Sequence, residues 1–594
     1  TCGSGAFLFA ALKILEPLLD KCLDRMEDFI EDENLLRPDS VKFAVFRRVL
    51  DENEKHPNRA YFVLKSIIVN NLFGVDIMPD AVEICKLRLF LSLVAQVDAD
   101  ANKKNYGLEP LPDIDFNIRA GNTLVGFANE TEVYQAFQGV TQARLAFDDR
   151  ADDFKWKAEE TARIYEHFRL QQIKEGGEIK PEDKANLQTK LRELSDELDK
   201  FIAHEYGIDE VKKPQQFADF LASHQPFHWY SEFFGIIAGG GFDVIVGNPP
   251  YVEYSKIRST YSILSNSFNT IDCGNLYAFI IERSLTLLRD FGKLGFIVPI
   301  SLTCTQRMSS LQTTLLENAS ALWNSNYAER PDKLFNGAEV LLTISLLTKY
   351  PSISCENWMT GLRKWKSEER SNLFALTCYY LSPERIRSYV FPKISSEIEL
   401  SIIKKFWNSS DVFGNDLRLV NEDKIFYRIG GGRYWKVFTT FQPKFVLNGE
   451  ESVSSRESYL YFDNEETRDI GVTILSSTLF YWYFVSTTNG RDLNPSDLKF
   501  FPLQISNIKE MSRLTLENLS HRLMEDYEQN KQEKEKLSKQ TGKITYEEFY
   551  PRMSKPIIDE IDRVLAKHYG FTDEELDFII NYDIKYRMGR ETED

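Results

Sequence analysis

Histidine is scarce, at 7 of 594 residues, and only His224 and His228 stand at H-x-x-x-H spacing, with Pro226 between them, so no metal site is expected. Cysteine is as thin. The 7 cysteines (Cys2, Cys22, Cys85, Cys273, Cys304, Cys355, Cys378) are odd in number and contain no C-x-x-C pair, which argues against a disulfide framework or a thiolate zinc site. A reducing, intracellular setting fits that usage. No apolar run approaches the roughly 18 residues needed to cross a bilayer, so a soluble, cytoplasmic protein without a membrane partner is expected. No GxxxxGK[ST] occurs, which argues against a nucleoside triphosphate as resident ligand. The chain opens on Thr1-Cys2-Gly3-Ser4-Gly5 with no basic leader, so no signal peptide is read there. A glycine turn of that kind ordinarily follows a strand, and a preceding segment is therefore expected.

What is present is ordinary globular material, 43% apolar and 27% charged, with a net charge of −18. At roughly 100–200 residues per domain, the length allows three to five domains. Charge is unevenly spread. Residues 353–450 carry 15 Lys/Arg against 11 Asp/Glu, +4 locally, leaving −22 for the remainder. A nucleic-acid-facing domain on an acidic body and plain scatter of surface charge both accommodate that asymmetry.

Along the chain, Phe7, Leu8, Ala11, Leu12, Leu15, Leu18 and Leu19 recur at helical spacing after the glycine turn. Leu72–Asp76 reads as a short buried strand ending on an acid, Ala81–Val97 as a helix, and Phe116–Phe127 as a strand and turn. That is the βαβ rhythm of a parallel sheet. Residues 151–206, with 10 basic and 14 acidic side chains, read as a helical hairpin broken at Gly176-Gly177 and inserted into the sheet domain. Phe242–Gly247, Gly295–Leu302 and Leu341–Thr348 read as further core strands. Residues 353–505 are rich in aromatic and β-branched residues with turns such as Gly430-Gly431-Gly432, and from Ser506 onward the chain reads as charged helix.

The sharpest motif is Asn248-Pro249-Pro250-Tyr251, directly after the apolar strand 242–247. Two prolines stiffen the turn so that a backbone carbonyl and the Asn248 amide oxygen can both accept from one NH₂ group, while Tyr251 offers a ring for stacking. Two acceptors on one aryl amine draw its lone pair out of conjugation and make the nitrogen nucleophilic. Three companions accompany it. The Thr1–Gly5 turn allows close approach of a ligand to the backbone. Asp76, at a strand end, suits two ribose hydroxyls and suits equally a helix N-cap, with Ile77 behind it able to pack on an adenine face. Asn122, in Gly121-Asn122-Thr123-Leu124, suits an adenine edge or a plain turn.

In this order the motifs resemble the S-adenosylmethionine-dependent DNA adenine-N6 methyltransferases of the gamma order, in which cofactor motifs precede the catalytic motif and a target recognition domain follows. Type IIG restriction–modification and phage-defence methylases are the most similar branch. Pro226-Phe227-His228-Trp229, Gly239-Gly240-Gly241, Gly274-Asn275-Leu276-Tyr277-Ala278-Phe279, Lys333-Leu334-Phe335 and the run from Tyr481-Trp482 to Asn489-Gly490-Arg491-Asp492-Leu493-Asn494 add to the resemblance. The Asp-Pro that usually precedes the glycine turn is missing.

The resemblance implies an α/β architecture. A Rossmann-like class I methyltransferase domain over residues 1–350, with its helical insertion at about 150–205, is followed by a mixed α/β target recognition domain over 353–505 and a C-terminal helical region over 506–594. It implies S-adenosylmethionine as cofactor and double-stranded DNA as partner, with other subunits of a restriction or phage-defence system as further candidates. Thr1, Cys2, Gly3, Ser4 and Gly5 would line the methionine end of the cofactor, Asp76 its ribose, and Ile77 and Asn122 its adenine. Asn248 and the Pro249 carbonyl would hold the N6 of a flipped adenine, with Pro250 stiffening the loop and Tyr251 and Phe335 enclosing the base. With 42 phenylalanines in the chain, a core role for Phe335 is the alternative.

Two rival functions use the same residues. A protein glutamine methyltransferase would hold a side-chain amide in the same Asn-Pro-Pro-Tyr geometry, though the long region after the catalytic motif speaks against it. A DNA-binding subunit with an idle methylase site would bind the cofactor weakly or not at all.

Overall fold

The computed structural model describes residues 2–36, 42–97, 100–102, 106, 108–140, 144–174, 180–335, 339–350, 354–407, 411–432, 434–538 and 541–589. The chain divides into two units: unit 1 holds residues 1–298, 313–322 and 345–355, and unit 2 holds 299–312, 323–344 and 356–594.

In unit 1, helix α1 (Ala6–Leu36) follows the glycine turn at once. Strand β1 (Gly74–Asp76), helix α2 (Pro79–Val94) and strand β2 (Ile118–Ala120) form the expected βαβ unit, with β1 and β2 parallel and Gly74 opposite Ile118. Pro79 opens α2 at its first position, where a missing N–H costs nothing. Helices α3 (Arg144–Ile173) and α4 (Pro181–Glu205) form the inserted pair, joined across their surfaces by Lys190 to Glu160 at 3.3 Å and Lys157 to Glu197 at 3.6 Å. The Gly176-Gly177 break lies outside the described residues. The pair packs into the unit: Leu187 and Leu191 of α4 and Phe168 of α3 are buried together with Phe116.

Strand β3 (Phe242–Gly247) runs parallel to β4 (Leu288–Pro299), with Val246 opposite Gly295, and helix α5 (Leu276–Leu287) connects them. One feature departs from the sequence reading. β1 and β2 make a two-stranded sheet of their own, β3 belongs to a different sheet in which β4 is its neighbour, and no continuous doubly wound sheet joins them among the described residues. β3 is consequently an edge strand whose Val244 and Val246 are 56% and 43% exposed, although its unbroken apolar run is the pattern of a strand covered on both faces.

Strands β5 (Ala319–Tyr327) and β6 (Leu342–Lys349) each have residues in both units. Unit 2 continues with β7 (Glu356–Arg363), antiparallel to β8 (Tyr380–Leu381). A three-stranded antiparallel sheet takes β9 (Lys424–Arg428) at its centre, between β10 (Phe438–Thr439) and β13 (Glu457–Tyr461). The C-terminal region is not purely helical. Gln532–Ser538 and Gly542–Glu548 are strands β14 and β15, and β15 pairs with β11 (Phe445–Leu447), itself paired with β12 (Glu450–Glu451). The Glu/Lys alternation that reads as exposed helix instead places unlike charges across the ladder, with Lys543 to Glu535 at 2.7 Å and Lys444 to Glu533 at 2.6 Å.

The core of unit 2 is the bent pair α6 (Glu465–Ser476) and α7 (Thr478–Thr487), packed against α8 (Glu510–Asn530) and α9 (Lys555–Tyr569). No single described helix is long and apolar enough to cross a membrane; α6 and α7 together have the composition but bend by 63° at Ser477. Every residue of α7 is buried. At its first turn the carboxylate of Asp562 accepts the N–H groups of Thr478 (3.2 Å) and Leu479 (3.0 Å). Burial outweighs those bonds and pushes the Asp562 carboxyl up from 3.8 to about 6. An acid that holds its proton more tightly when folded gives stability that is complete below about pH 4 and lost as pH rises through about 6, here about 3 kcal/mol in all. We expect urea unfolding to show wild type losing stability relative to Asp562→Asn between pH 4 and 7. A stability difference independent of pH over that interval would contradict this assignment.

Candidate active site

The expected site residues fall into two groups, each at the C-terminal end of a parallel strand, where open α/β sheets bind ligands. The first is the glycine turn. Cys2 N–H donates to the Val75 carbonyl at 3.0 Å and Gly3 N–H to Asp76 Oδ2 at 2.9 Å, so the turn docks on the end of β1. Gly3 and Gly5 have φ of 52° and 82°. A Cβ at Gly5 would lie 2.5 Å from Cys85 Sγ, whereas one at Gly3 would meet open space. Gly5 is thus demanded by packing, and Gly3 leaves the backbone approachable. The neighbouring Cys85 thiol, followed by burial, holds the Cys2 thiol well above its usual range, so Cys2 stays neutral. The Ser4 carbonyl accepts from Arg88 Nη1 at 2.7 Å, tying the turn to α2. Thr1 lies outside the described residues.

Asp76 is 6% exposed, and its second oxygen accepts Met78 N–H at 3.0 Å at the start of α2. It therefore fastens both the turn and the helix, and each oxygen keeps a lone pair for another donor. Ile77 follows, half-buried. Gly121 N–H donates to the Asp76 carbonyl at 2.9 Å, which brings Asn122 beside the same strand end. Asn122 Oδ1 accepts Leu124 N–H at 3.1 Å, so its turn role holds. Its Nδ2 is different: it is buried and has no acceptor among the described residues.

Pro226–Trp229 is the segment that props this turn. Asn122 N–H donates to the Gln225 carbonyl at 2.8 Å, Phe227 N–H to the Val125 carbonyl at 2.8 Å, and Trp229 Nε1 to Thr123 Oγ1 at 3.2 Å. His228 is buried, its Nδ1 accepting Phe127 N–H at 3.3 Å and its Nε2 lying 3.1 Å from Asp199 Oδ1 on α4. A Cβ at Gly126 would lie 2.3 Å from the Phe227 carbonyl oxygen, which explains the glycine. The histidine count offers no hint of this scaffolding role.

The second group is Asn248–Tyr251. The Tyr251 hydroxyl lies 2.5 Å from Asn248 Oδ1 and 3.0 Å from the Ile297 carbonyl on β4. Burial raises the Tyr251 phenol well above its usual range, so it stays a donor at any physiological pH. Asn248 is exposed and Pro249 buried, with the loop exit clamped by the segment before α5. There Leu276 N–H donates to the Val252 carbonyl at 3.0 Å, Tyr254 N–H to the Gly274 carbonyl at 2.9 Å, and Asn275 Nδ2 to Glu253 Oε1 at 3.1 Å.

An aromatic cluster ties the two groups at the starts of their strands. Phe73, just before β1, meets Phe242 of β3 at 6.0 Å between ring centres, and Phe233 lies 5.6 and 5.8 Å from the two. Phe335 is half-buried and belongs to unit 2, whereas Asn248–Tyr251 belong to unit 1.

Residues 70–329 match the family described as Eco57I restriction-modification methylase. A Methanocaldococcus jannaschii protein named as a type II restriction enzyme and methyltransferase is 26% identical over 438 residues, which is 68% of this chain and 33% of that protein. The chain thus spans about a third of the length of the curated relative it matches. Among solved structures, the Type IIL restriction-modification enzyme MmeI in complex with DNA aligns at 12% identity and a TM-score of 0.36, covering 97% of this chain and 77% of that one. A nuclease-deletion mutant of the Type ISP enzyme LlaGI with a DNA substrate mimic aligns at 10% identity and a TM-score of 0.38, covering 88% and 44%. Alignments at these scores add no argument of their own. The turn of Asn122, its Pro226–Trp229 prop and the Asn248–Tyr251 loop all fall inside the region that matches the Eco57I restriction-modification methylase family.

Proposed function

We propose that this chain is a DNA methyltransferase of a restriction–modification or phage-defence system that transfers a methyl group from S-adenosylmethionine to the N6 amine of a flipped adenine. The observation that carries the reading is the Asn248 carboxamide, whose oxygen is held by the Tyr251 hydroxyl at the end of an apolar strand. A carboxamide oxygen has two lone pairs, so its chemistry allows it to accept an amine proton as well as the phenol's. The Pro249 carbonyl supplies the second acceptor. With both N–H bonds so engaged, the nitrogen lone pair is directed out of the ring plane toward the donor. Alignment of that lone pair provides much of the acceleration. The target must first leave the duplex, and stacking on Tyr251, worth about 1–3 kcal/mol, helps offset the unstacking.

The first group fits the cofactor. Its buried Asn122 Nδ2 has no acceptor among the described residues, which is costly by about 1–3 kcal/mol and is relieved by a ring nitrogen of an adenine. Asp76 keeps lone pairs for ribose hydroxyls, Ile77 offers an apolar face, and open space in front of Gly3 admits the methionine end. When bound, S-adenosylmethionine supplies an electrophilic methyl on a sulfonium. DNA as the substrate is supported by the family match over 70–329 and by the name of the archaeal relative.

Replacing Asn248 by Ala removes the acceptor, and methyl transfer to duplex DNA should fall by at least about 10²-fold with unchanged thermal stability. Residual transfer near the wild-type rate would remove Asn248 from the chemistry. Tyr251→Phe keeps the ring but frees the carboxamide; kcat should drop about tenfold while cofactor affinity by calorimetry stays level, because the hydroxyl is about one hydrogen bond's worth of positioning. Asn122→Ala should do the reverse, raising the S-adenosylmethionine Kd about tenfold and leaving DNA affinity alone. Equal effects of these two substitutions on cofactor binding would contradict the division of the site into two groups.

A further inference from the structure

Unit 2 contains a cavity of about 870 Å³ lined by none of the residues proposed for the cofactor or the target amine. Its wall comes from sequence-distant segments: residues 426–439 around β9 and β10, the β15 end at 546–552, and the last described helical turn at 585–587. In a chain of net charge −18, eight Lys/Arg line this cavity against three Glu. Four of the cations matter most. Lys366 and Arg428 are exposed at the wall and form no ion pair among the described residues. Lys436 and Arg587 are 8% and 3% exposed. The Lys436 Nζ donates to the carbonyls of Gly431 and Arg491, both at 3.0 Å, and burial without a carboxylate partner pulls its pKa down to about 8. Arg587 has no carboxylate partner among the described residues either, and its Nε and Nη1 are buried without an acceptor.

Asp492 and Asp497 act on Lys436, and Asp562, Asp583 and Asp559 on Arg587, but neither cation is ion-paired among the described residues, and a fold that concentrates such buried cations around a cavity is poised for an anion. The walls add flat aromatic surface. The Arg587 guanidinium lies 3.6 Å over the Trp435 ring, and Tyr434 and Tyr586 stack at 6.2 Å with a 17° interplanar angle. The rim loop Gly430–Gly432 is shaped for this enclosure. Gly431 and Gly432 have φ of 97° and 62°, and a Cβ at Gly432 would lie 2.4 Å from the Trp435 carbonyl oxygen. An inorganic anion would leave most of this volume and all of the aromatic surface unused, and an acidic peptide would leave the ring faces unused. A phosphate joined to a flat base uses both.

We propose that this cavity is a nucleotide-binding pocket, with the Lys366 and Arg428 side chains on the phosphate and the Trp435 and Tyr586 rings beside the base. The nucleotide is either free in solution or part of a DNA strand. The second source rests on the DNA reading above; the chemistry of the pocket does not.

The test uses the full chain and two probes: deoxyadenosine 5′-monophosphate by calorimetry and a fluorescein-labelled single-stranded 12-mer by anisotropy. Both are repeated with Lys366→Glu/Arg428→Glu, two exposed positions whose reversal should leave the melting temperature unchanged. Loss of mononucleotide affinity by about tenfold or more identifies a free nucleotide as occupant. A comparable loss for the oligonucleotide alone identifies a nucleotide within a strand. The proposal is overturned if neither probe binds wild type, or if both bind the double variant as tightly as wild type. Cofactor calorimetry on the same variant stands apart from these readouts, so an inactive methylase site and an absent nucleotide pocket give different results.

Discussion

The bond between the Tyr251 hydroxyl and Asn248 Oδ1 is the constraint on which the proposed chemistry of this fold depends. A free asparagine carboxamide rotates and offers its oxygen or its NH₂ with equal ease; a phenol donor selects the oxygen and fixes its direction. The phenol is itself anchored to the Ile297 carbonyl, which the parallel β3–β4 register places across from the loop. Two prolines and the Gly274–Leu276 clamp hold the remaining backbone. The loop is therefore organised before any substrate arrives, which is what a catalyst relying on alignment needs.

The glycine-turn group follows a similar logic with different parts. One carboxylate, Asp76, fastens the glycine turn and the start of α2, and its own carbonyl receives Gly121 N–H. Three segments far apart in sequence thus converge on one strand end through bonds from their backbone N–H groups, which leaves Asn122 Nδ2 unspent. The Phe73–Phe233–Phe242 cluster then ties this strand to β3 through apolar contact. Polar groups at the strand ends set the geometry, and aromatic rings at the strand starts hold the two halves together.

Much of this was legible in the residues. An apolar run that ends on an acid and is followed by a proline marks β1 and α2, and Asn-Pro-Pro-Tyr after an apolar run marks the end of β3. What could not be read has identifiable causes. Gln532–Ser538 is rich in Glu and Lys, which favour helix, and the pairing with β15 and the cross-strand ion pairs decide for a strand. The apolar run of β3 signals full burial, yet its valines are exposed, because strand pairing is a tertiary matter. The glycines at 121 and 126 look like ordinary turn residues until Phe227, about a hundred residues later, is seen to fill the space their side chains would need. The unit 2 cavity is hidden for the same reason: Lys436 and Arg587 are isolated cations in the sequence and become neighbours of one space only after folding.

The central claim is that the nitrogen held by Asn248 belongs to adenine in DNA. Mass spectrometry of nucleosides, after incubating the protein with duplex DNA and S-adenosylmethionine carrying a deuterated methyl group, tests it most directly. The account predicts the label on N6-methyldeoxyadenosine. Label on a cytosine, or on a glutamine side chain of an added protein with none in the DNA, would contradict it.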